Sequence, residues 1–324
     1  MSTSDAATLP ASPPSPPLPL WFRWLRGYVR RELPAWGWLY GRCGGYDDTR
    51  FVGLGTRWSR DKLHGYEVEL DLGNWSERLS HSLGRYHDLP LLLLLRALLR
   101  AGDTFVDVGA NLGQVTLFAR RLVGDTGRVF ACEPNPRPRA RLAARLLRNG
   151  LQDVEVLPVA LSDSDGDGTL HEFDGHSGWG SLVAQAPAGA VASAAVAVQC
   201  VRGDRVLREQ LDGRPSWIKI DVEGHELAVL RGLAETIAAH RPMLVVEVGA
   251  EHQRRAGHSL DELLLVLQDF GYRGLQPTVR RSLVGSGFGR RSRLELRPFR
   301  PELADGADVL FVPSDGPMLE RVPA

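Results

Sequence analysis

The spacing of apolar and polar residues changes along this chain, and each change predicts a different kind of element. Between residues 51 and 75 apolar and polar residues alternate, which predicts a short β-hairpin or meander. An unbroken apolar run, residues 91–95, comes next. Because Pro90 suits the first turn of a helix, we predict a buried helix over residues 89–99.

Beyond this helix, short apolar runs of strand length alternate with segments of helical period, which is typical of a parallel α/β sheet. The predicted strands cover residues 105–108, 128–132, 154–161, 217–220, 243–248 and 308–312. The predicted helices cover residues 114–122, 138–149, 226–240 and 259–270. The pattern therefore predicts an α/β domain over residues 89–315 with helices on both faces of the sheet.

The segment before this domain has a different composition. Residues 1–20 are rich in Pro, Ser and Ala, and we expect a tail without fixed structure. Residues 21–88 are predicted to form a small N-terminal appendage. Its first part carries aromatic residues among arginines, which leaves two interpretations: a helix that touches a membrane or a lipid-linked substrate, or an aromatic segment packed on the main domain.

The overall composition, 43% hydrophobic and 24% charged, is that of a globular protein. Because the formal net charge is zero, we expect no nucleic-acid partner. The three cysteines are too widely spaced for a disulfide framework or a metal site. The N-terminus lacks the basic segment of a secretory signal, and the leucine run is too short to span a bilayer. We therefore expect a cytoplasmic protein without an integral membrane segment.

Residues 107–113 read Asp-Val-Gly-Ala-Asn-Leu-Gly and connect the first predicted strand of the domain to a helix. Gly109 and Gly113 let the backbone turn sharply and let a ligand approach it closely. The amides at the following helix start favour a negatively charged group. Asp107, at the end of the strand, would face the positively charged part of a ligand.

An acidic residue, Glu133, follows the second predicted strand, twenty residues after Gly113. A carboxylate at this place accepts hydrogen bonds from a ribose diol. The loop lacks the G-x-G-x-x-G pattern that packs a pyrophosphate against a helix, which favours an adenosyl ligand over a dinucleotide. Two alternatives stay open: an NAD-dependent dehydrogenase, and a non-catalytic Rossmann-like binding module.

With these motifs, the chain resembles the FkbM-type methyltransferases, which use S-adenosylmethionine. The likeness spans roughly residues 85–250, and its most specific pieces are the Asp-Val-Gly-Ala-Asn-Leu-Gly loop and Ile-Asp-Val-Glu-Gly at residues 220–224. Shorter matches lie at residues 133–134, 159–163 and 229–232. The resemblance implies a Rossmann-like class I methyltransferase fold with a mostly parallel seven-stranded sheet.

The resemblance also implies roles for individual residues. Gly109, Asn111 and Gly113 would hold the methionine part of S-adenosylmethionine, and Glu133 would hold the ribose. The backbone near Ala160 and Leu161 would border the adenine. The acceptor would be a hydroxyl group of a sugar, a glycan or a polyketide-like natural product.

Three acids are candidates for the reaction itself. Asp221 and Glu223 follow the predicted strand at residues 217–220, and Glu247 ends the next one. Ligands bind outside the carboxyl ends of parallel strands, where a carboxylate can accept the proton of an alcohol. Alternatively, Asp221 and Glu223 only cap the next helix. For His225 two interpretations stay open: a residue on the helix surface, or a catalytic base.

A metal ion is a weaker alternative at the same edge. Asp221, Glu247 and His252 could together hold a divalent ion that binds the acceptor oxygen. Because no tight ligand spacing supports this arrangement, we predict no metal.

Two further polar stretches have no certain role. Asp163, Asp165 and Asp167 alternate as in a calcium loop, but the acid that should close such a loop is missing, which favours a solvated turn. The same excursion holds His171, His176 and Trp179. Residues 279–300 are rich in arginine and outside the resemblance; either they attract an anionic substrate or they form a flexible surface loop.

Overall fold

The computed structural model describes residues 16–173, 180–186, 189–214, 216–281, 292–303, 306–316 and 318–322. Most of the predicted tail, His176, Trp179, Arg290 and Arg291 lie outside these residues.

The described residues form helices and strands in an order close to the predicted one. The helices are α1 Leu20–Arg30, α2 Trp36–Arg42, α3 Trp75–Leu83, α4 Leu89–Leu98, α5 Gln114–Val123, α6 Pro136–Arg148, α7 Gly203–Leu207, α8 Glu226–Gly232, α9 Ala234–His240, α10 Ala250–Arg255 and α11 Leu260–Asp269. The strands are β1 Thr56–Arg60, β2 Glu67–Asp71, β3 Thr104–Val108, β4 Arg128–Cys132, β5 Glu155–Leu157, β6 Ala160–Ser162, β7 Gly166–Phe173, β8 Gly180–Ser181, β9 Ala192–Arg202, β10 Ser216–Ile220, β11 Met243–Val248, β12 Tyr272–Arg281, β13 Ser292–Pro298 and β14 Ala307–Pro313.

The main sheet has the strand order β13-β12-β14-β11-β10-β3-β4-β5. Neighbours from β11 to β5 pair in parallel, whereas β14, β12 and β13 are joined by antiparallel pairings. The predicted α/β fold is confirmed, but the number of strands is wrong: within the described residues the sheet has eight strands, not seven.

The additional strand, β13, comes from the arginine-rich stretch. Arg280 lies opposite Arg293, and Val279 opposite Leu294, so arginines and apolar residues alternate along the pair β12–β13. Leu294 packs against the buried core, whereas Arg280 and Arg293 are exposed. The interpretation of the whole stretch as a surface loop is therefore wrong, because its apolar positions have the period of a half-buried strand.

Two predicted elements are each divided. Residues 154–161 form two strands: β5 pairs with β4 in the main sheet, and β6 pairs with β9 in a separate four-stranded sheet. Pro158 lies between them and cannot donate a ladder hydrogen bond. The predicted helix over residues 226–240 is likewise two helices, α8 and α9.

The excursion after β6 forms β7, which pairs with β9, rather than one solvated turn.

Two hydrophobic clusters cover the two faces of the main sheet. Phe105 and Trp217 point into one cluster, with α4, α5 and α6, whereas Val106 and Ile218 point into the other, with α8, α9 and α11. Successive strand residues thus serve opposite faces, and both faces are buried, as a parallel sheet requires.

The N-terminal segment has a small hydrophobic core of its own, and it packs on the main domain through Val68 and Leu70 of β2. Phe22, Leu25 and Val29 of α1 are buried in the small core, together with residues of α3, while Trp24 is 64% exposed. The hairpin β1–β2 is antiparallel, as predicted. The domain boundary at residue 88 stays a prediction. In the described part of the chain, no helix combines the length and apolar character needed to cross a membrane.

Candidate active site

The loop after β3 contains residues with positive φ angles, a backbone conformation that glycine adopts readily and most other residues adopt rarely. Gly109 has φ +80°, and a Cβ atom there would lie 1.9 Å from the backbone oxygen of Asp221. Gly113 has φ +73°, and a Cβ atom there would lie 2.2 Å from Leu142. The two glycines therefore allow the loop to pack against the end of β10 and against α6. Asn111 also has a positive φ, which Asn tolerates.

Asp107 is fully buried at the end of β3. Its Oδ2 atom accepts a 2.6 Å hydrogen bond from the Thr116 hydroxyl, while Oδ1 has no hydrogen-bond partner in the described part of the chain and lies 3.7 Å from Lys219 Nζ. Lys219 is buried as well and donates to Asp221 Oδ2 at 2.9 Å. Burial raises the pKa of Asp107, although Lys219 opposes this. Lys219 thus links the acid of the loop to the acid after β10.

Glu133 follows β4 and faces the same loop. Its two carboxylate oxygens accept hydrogen bonds from the backbone N–H of Asn111, at 2.7 Å, and of Asn135, at 2.8 Å. The residue is only 6% exposed, and this burial raises its pKa to about 7. A carboxylate oxygen accepts more than one hydrogen bond, so Glu133 can still bind ligand hydroxyls.

The three candidate acids after β10 and β11 lie close together, with His252 of α10 beside two of them. His252 Nδ1 lies 3.2 Å from Glu247 Oε2, and His252 Nε2 lies 3.7 Å from Glu223 Oε2. Burial, followed by repulsion between carboxylates, raises the pKa of both Glu223 and Glu247. The hydrogen bond to Glu247 raises the pKa of His252. The side chain of Asp221 is the most exposed of the acids, at 31%.

In the turn before α8, backbone N–H groups donate hydrogen bonds to the side chain of Glu226. Its Oε1 atom accepts from the backbone N–H of Gly224 at 2.9 Å and of Val222 at 3.2 Å. Among the residues that the structure describes, no side chain caps the N-terminus of α8. The capping interpretation of Asp221 and Glu223 is therefore wrong, because Glu226 satisfies this turn.

His225 is partly buried rather than a surface residue. Its Nε2 atom lies 3.0 Å from the Ser162 hydroxyl, and burial lowers its pKa. This contact links the turn before α8 to the four-stranded sheet.

One cavity of about 520 Å³ lies between the loop after β3, Glu133 and the acids at the carboxyl ends of β10 and β11, whereas His252 does not line it. Nine of the ten predicted site residues line it: Asp107, Gly109, Asn111, Glu133, Ala160, Leu161, Asp221, Glu223 and Glu247. Gly113 does not line the cavity, because it turns the chain into α5 behind the loop.

Sequence reasoning missed several other lining residues. Trp75, Tyr86, His87 and Asp88 reach the cavity from the N-terminal segment, and Asp308 reaches it from β14. Of these residues, only Asp88 has a recognisable role in the sequence pattern, and that role is to cap a helix. Its side chain accepts a hydrogen bond from Leu91 N–H at 3.0 Å at the start of α4.

Comparison with known proteins agrees with this architecture. The family model of the methyltransferase FkbM domain matches residues 107–273, just over half of the chain. The hexuronic acid methyltransferase AglP of Haloferax volcanii is 28% identical over 163 residues, covering 50% of this chain and 62% of the relative. The AMB antimetabolite synthetase AmbE of Pseudomonas aeruginosa is 27% identical over 236 residues, covering 63% of this chain and 11% of the relative. The chain thus spans less than two thirds of either relative.

A solved structure to which this chain is similar is methyltransferase FkbM from Methylobacillus flagellatus KT. It is 18% identical to this chain, with a TM-score of 0.41, and the match covers 86% of this chain and 60% of that one.

The strand order and the loop after β3 define a class I methyltransferase fold. The chain belongs to the family of the methyltransferase FkbM domain, as its motifs predicted. Its central domain is therefore an S-adenosylmethionine-dependent methyltransferase domain.

Proposed function

We propose that the chain as a whole is an S-adenosylmethionine-dependent O-methyltransferase that acts on a hydroxyl of a sugar, a glycan or a polyketide-like product. The observation that carries this proposal is the single cavity shared by the loop after β3 and the carboxylates after β10 and β11. Donor and acceptor can lie in one space there, as in-line transfer requires. The relative named for hexuronic acid supports a sugar acceptor.

The loop end of the cavity has the chemistry to bind the donor. Asp107 offers a buried carboxylate oxygen that no described residue binds through a hydrogen bond, and such an oxygen suits a cationic group. Gly109 and Asn111 would hold the methionine part, with Gly113 shaping the loop behind them. Glu133 would accept hydrogen bonds from the ribose hydroxyls.

The adenine would lie beside the chain where β5 gives way to β6. Ala160 and Leu161 line the cavity there and are 7% and 2% exposed. Small and aliphatic side chains of this kind make an apolar wall for a flat base.

When bound, S-adenosylmethionine supplies a methyl group that is electrophilic because it is attached to a sulfonium. The chain has to hold the acceptor hydroxyl in line and take its proton as the new O–C bond forms. We expect Asp221, Glu223 and Glu247 to act in this proton transfer. The contact with Lys219 fixes the orientation of Asp221.

Transfer of a labelled methyl group tests the proposal. Purified protein is incubated with S-[methyl-¹³C]adenosylmethionine and a glycan and metabolite extract, and O-methyl signals are sought by NMR. We expect new O-methyl ethers with the wild type and at least about a hundredfold lower rate with Asp221→Asn, within the range that proton transfer contributes.

Asp167→Asn, which changes an exposed acid outside the cavity, is the matched control and should keep the wild-type rate. Near-normal turnover of Asp221→Asn with intact donor binding would show that Asp221 is not essential. Donor binding without any methylated product would instead favour the non-catalytic binding module.

A further inference from the structure

Glu223, Glu247 and His252 form a group whose geometry is not explained by donor binding. Each offers one ligand atom, and these atoms all lie within 4.8 Å of one another. They come from three separate places: the turn after β10, the end of β11, and α10. Their side chains are 17%, 16% and 22% exposed, so the group is sheltered but reachable.

The two contacts of the His252 ring differ in kind. The 3.2 Å between Nδ1 and Glu247 Oε2 fits a hydrogen bond, which orients the ring. The 3.7 Å between Nε2 and Glu223 Oε2 is too long for one. Two ligands that share one ion at about 2.0–2.2 Å each lie at such a separation.

Asp308 provides an independent observation. It lies opposite Glu247 in the β11–β14 register, so both side chains leave the sheet on the same face. Its Oδ1 atom is buried and has no hydrogen-bond partner among the described residues, although the residue lines the cavity. A buried carboxylate oxygen without a partner costs free energy unless a cation or a donor meets it.

The residue types that line the cavity also favour a cation. Carboxylates line this end of it: Asp88, Asp221, Glu223, Glu247 and Asp308. Among the described lining residues, Lys219 is the one lysine or arginine, and it already lies between Asp107 and Asp221. Carboxyl groups therefore outnumber lysine and arginine side chains at the end of the cavity where the acceptor is expected.

We propose that Glu223, Glu247 and His252 bind a divalent cation beside the acceptor end of the cavity, which Glu223 and Glu247 line. Imidazole combined with carboxylates suits Mn²⁺, Fe²⁺ or Zn²⁺ better than Mg²⁺ or Ca²⁺. The ligand set differs from the one considered from the sequence, since Glu223 takes the place of Asp221. A cation here could bind the acceptor oxygen and ease loss of its proton; that role, unlike the site itself, rests on the proposed function.

The test is a titration of full-length, EDTA-treated protein with MnCl₂ in the absence of S-adenosylmethionine, with free Mn²⁺ measured by electron paramagnetic resonance. We expect saturable binding of one Mn²⁺ per chain. Loss of a ligand in His252→Ala or Glu223→Gln should weaken binding at least about tenfold. The matched control, Glu251→Gln, changes an exposed acid beside His252 on α10 and should bind as the wild type does.

Absence of saturable binding in the wild type would overturn the proposal and would mean that His252 simply pairs with the two glutamates. Binding that is unchanged in both variants would overturn it as well, because the ion would then lie elsewhere. His252→Asp, which keeps a possible ligand, should bind Mn²⁺ more tightly than His252→Ala does. Donor affinity, measured separately, reports on folding and on the proposed function, so the two failures are distinguishable.

Discussion

The carboxyl group of Glu133 is buried, accepts two backbone N–H groups, and still has its pKa raised to about 7. Ribose hydroxyls donate to the ionised carboxylate, so protonation removes acceptor capacity. We expect the affinity for S-adenosylmethionine to fall as the pH falls below about 7, approaching tenfold per pH unit. Isothermal titration calorimetry between pH 6 and pH 8 measures this dependence.

Glu133→Gln should bind the donor more weakly and lose most of this pH dependence. Glu155→Gln, which changes an exposed acid on the neighbouring strand β5, serves as the control. Equal affinity of the wild type at pH 6 and pH 8 would contradict the role given to Glu133.

Gly109 offers a second test at the scale of one residue. Gly109→Ala adds a Cβ atom that would lie 1.9 Å from a backbone oxygen, at φ +80°. Gly53 has the same φ of +80° but open space around it, so Gly53→Ala isolates the backbone strain alone. We expect Gly53→Ala to lower the free energy of unfolding by about 1 kcal/mol and Gly109→Ala by clearly more.

Urea unfolding of both variants measures this difference, and donor affinity should fall for Gly109→Ala only. A loss of stability no larger for Gly109→Ala than for Gly53→Ala would mean that the loop is not held against Asp221.

The sequence predicts a residue's place in the cavity where that place follows from the local pattern of strands and turns. Asp107 and Glu133 end consecutive parallel strands, and such ends share one edge of the sheet. Asp308 could not be found in this way, because it begins an antiparallel strand and reaches the cavity only through its pairing with β11. The exclusion of Gly113 from the cavity likewise depends on how α6 packs.

At the scale of elements, the predictions failed where tertiary pairing outweighed local pattern. The apolar run over residues 154–161 has the length of a single strand, yet its halves join two different sheets. The β12–β13 pair was hidden because arginines interrupt its apolar positions, and alternation rather than a continuous apolar run was the useful signal. Elements with buried faces and clear breaks, such as α5 and β11, were close to their predicted bounds.

Helix α3 gives a test of stability at this scale. Its His81 is 3% exposed, with Nδ1 2.7 Å from the Ser59 hydroxyl, and burial lowers its pKa to about 3. The unfolded chain binds a proton at His81 below about pH 6.5, while the folded protein does not until about pH 3. The contribution of neutral His81 to stability is therefore complete above about pH 6.5 and is lost as the pH falls toward 3.

We expect the free energy of unfolding of the wild type to fall more steeply than that of His81→Gln between pH 6.5 and pH 4, measured by urea denaturation. His258→Gln, which changes a partly exposed histidine on the main domain, should follow the wild type. Parallel curves for the wild type and His81→Gln would show that His81 is not held neutral by the fold.

At the scale of the whole molecule, the N-terminal segment and the methyltransferase domain share one cavity. Arg141 of α6 donates to Glu77 of α3 at 2.7 Å, and Glu77 also lines the cavity. Neither the family motifs nor residue spacing could have placed Trp75 and Tyr86 there, because their position follows from packing between distant parts of the chain. The sequence alone identifies the domain that is proposed to bind the donor. The part of the cavity wall that the N-terminal segment forms can be recognised only in the structure.

The central claim is that this cavity binds S-adenosylmethionine, and direct calorimetric titration of the full chain tests it. We predict saturable binding of one S-adenosylmethionine per chain, weakened in Gly109→Ala and competed by S-adenosylhomocysteine. No heat of binding from the folded wild type, or binding of NAD in place of S-adenosylmethionine, would contradict the account.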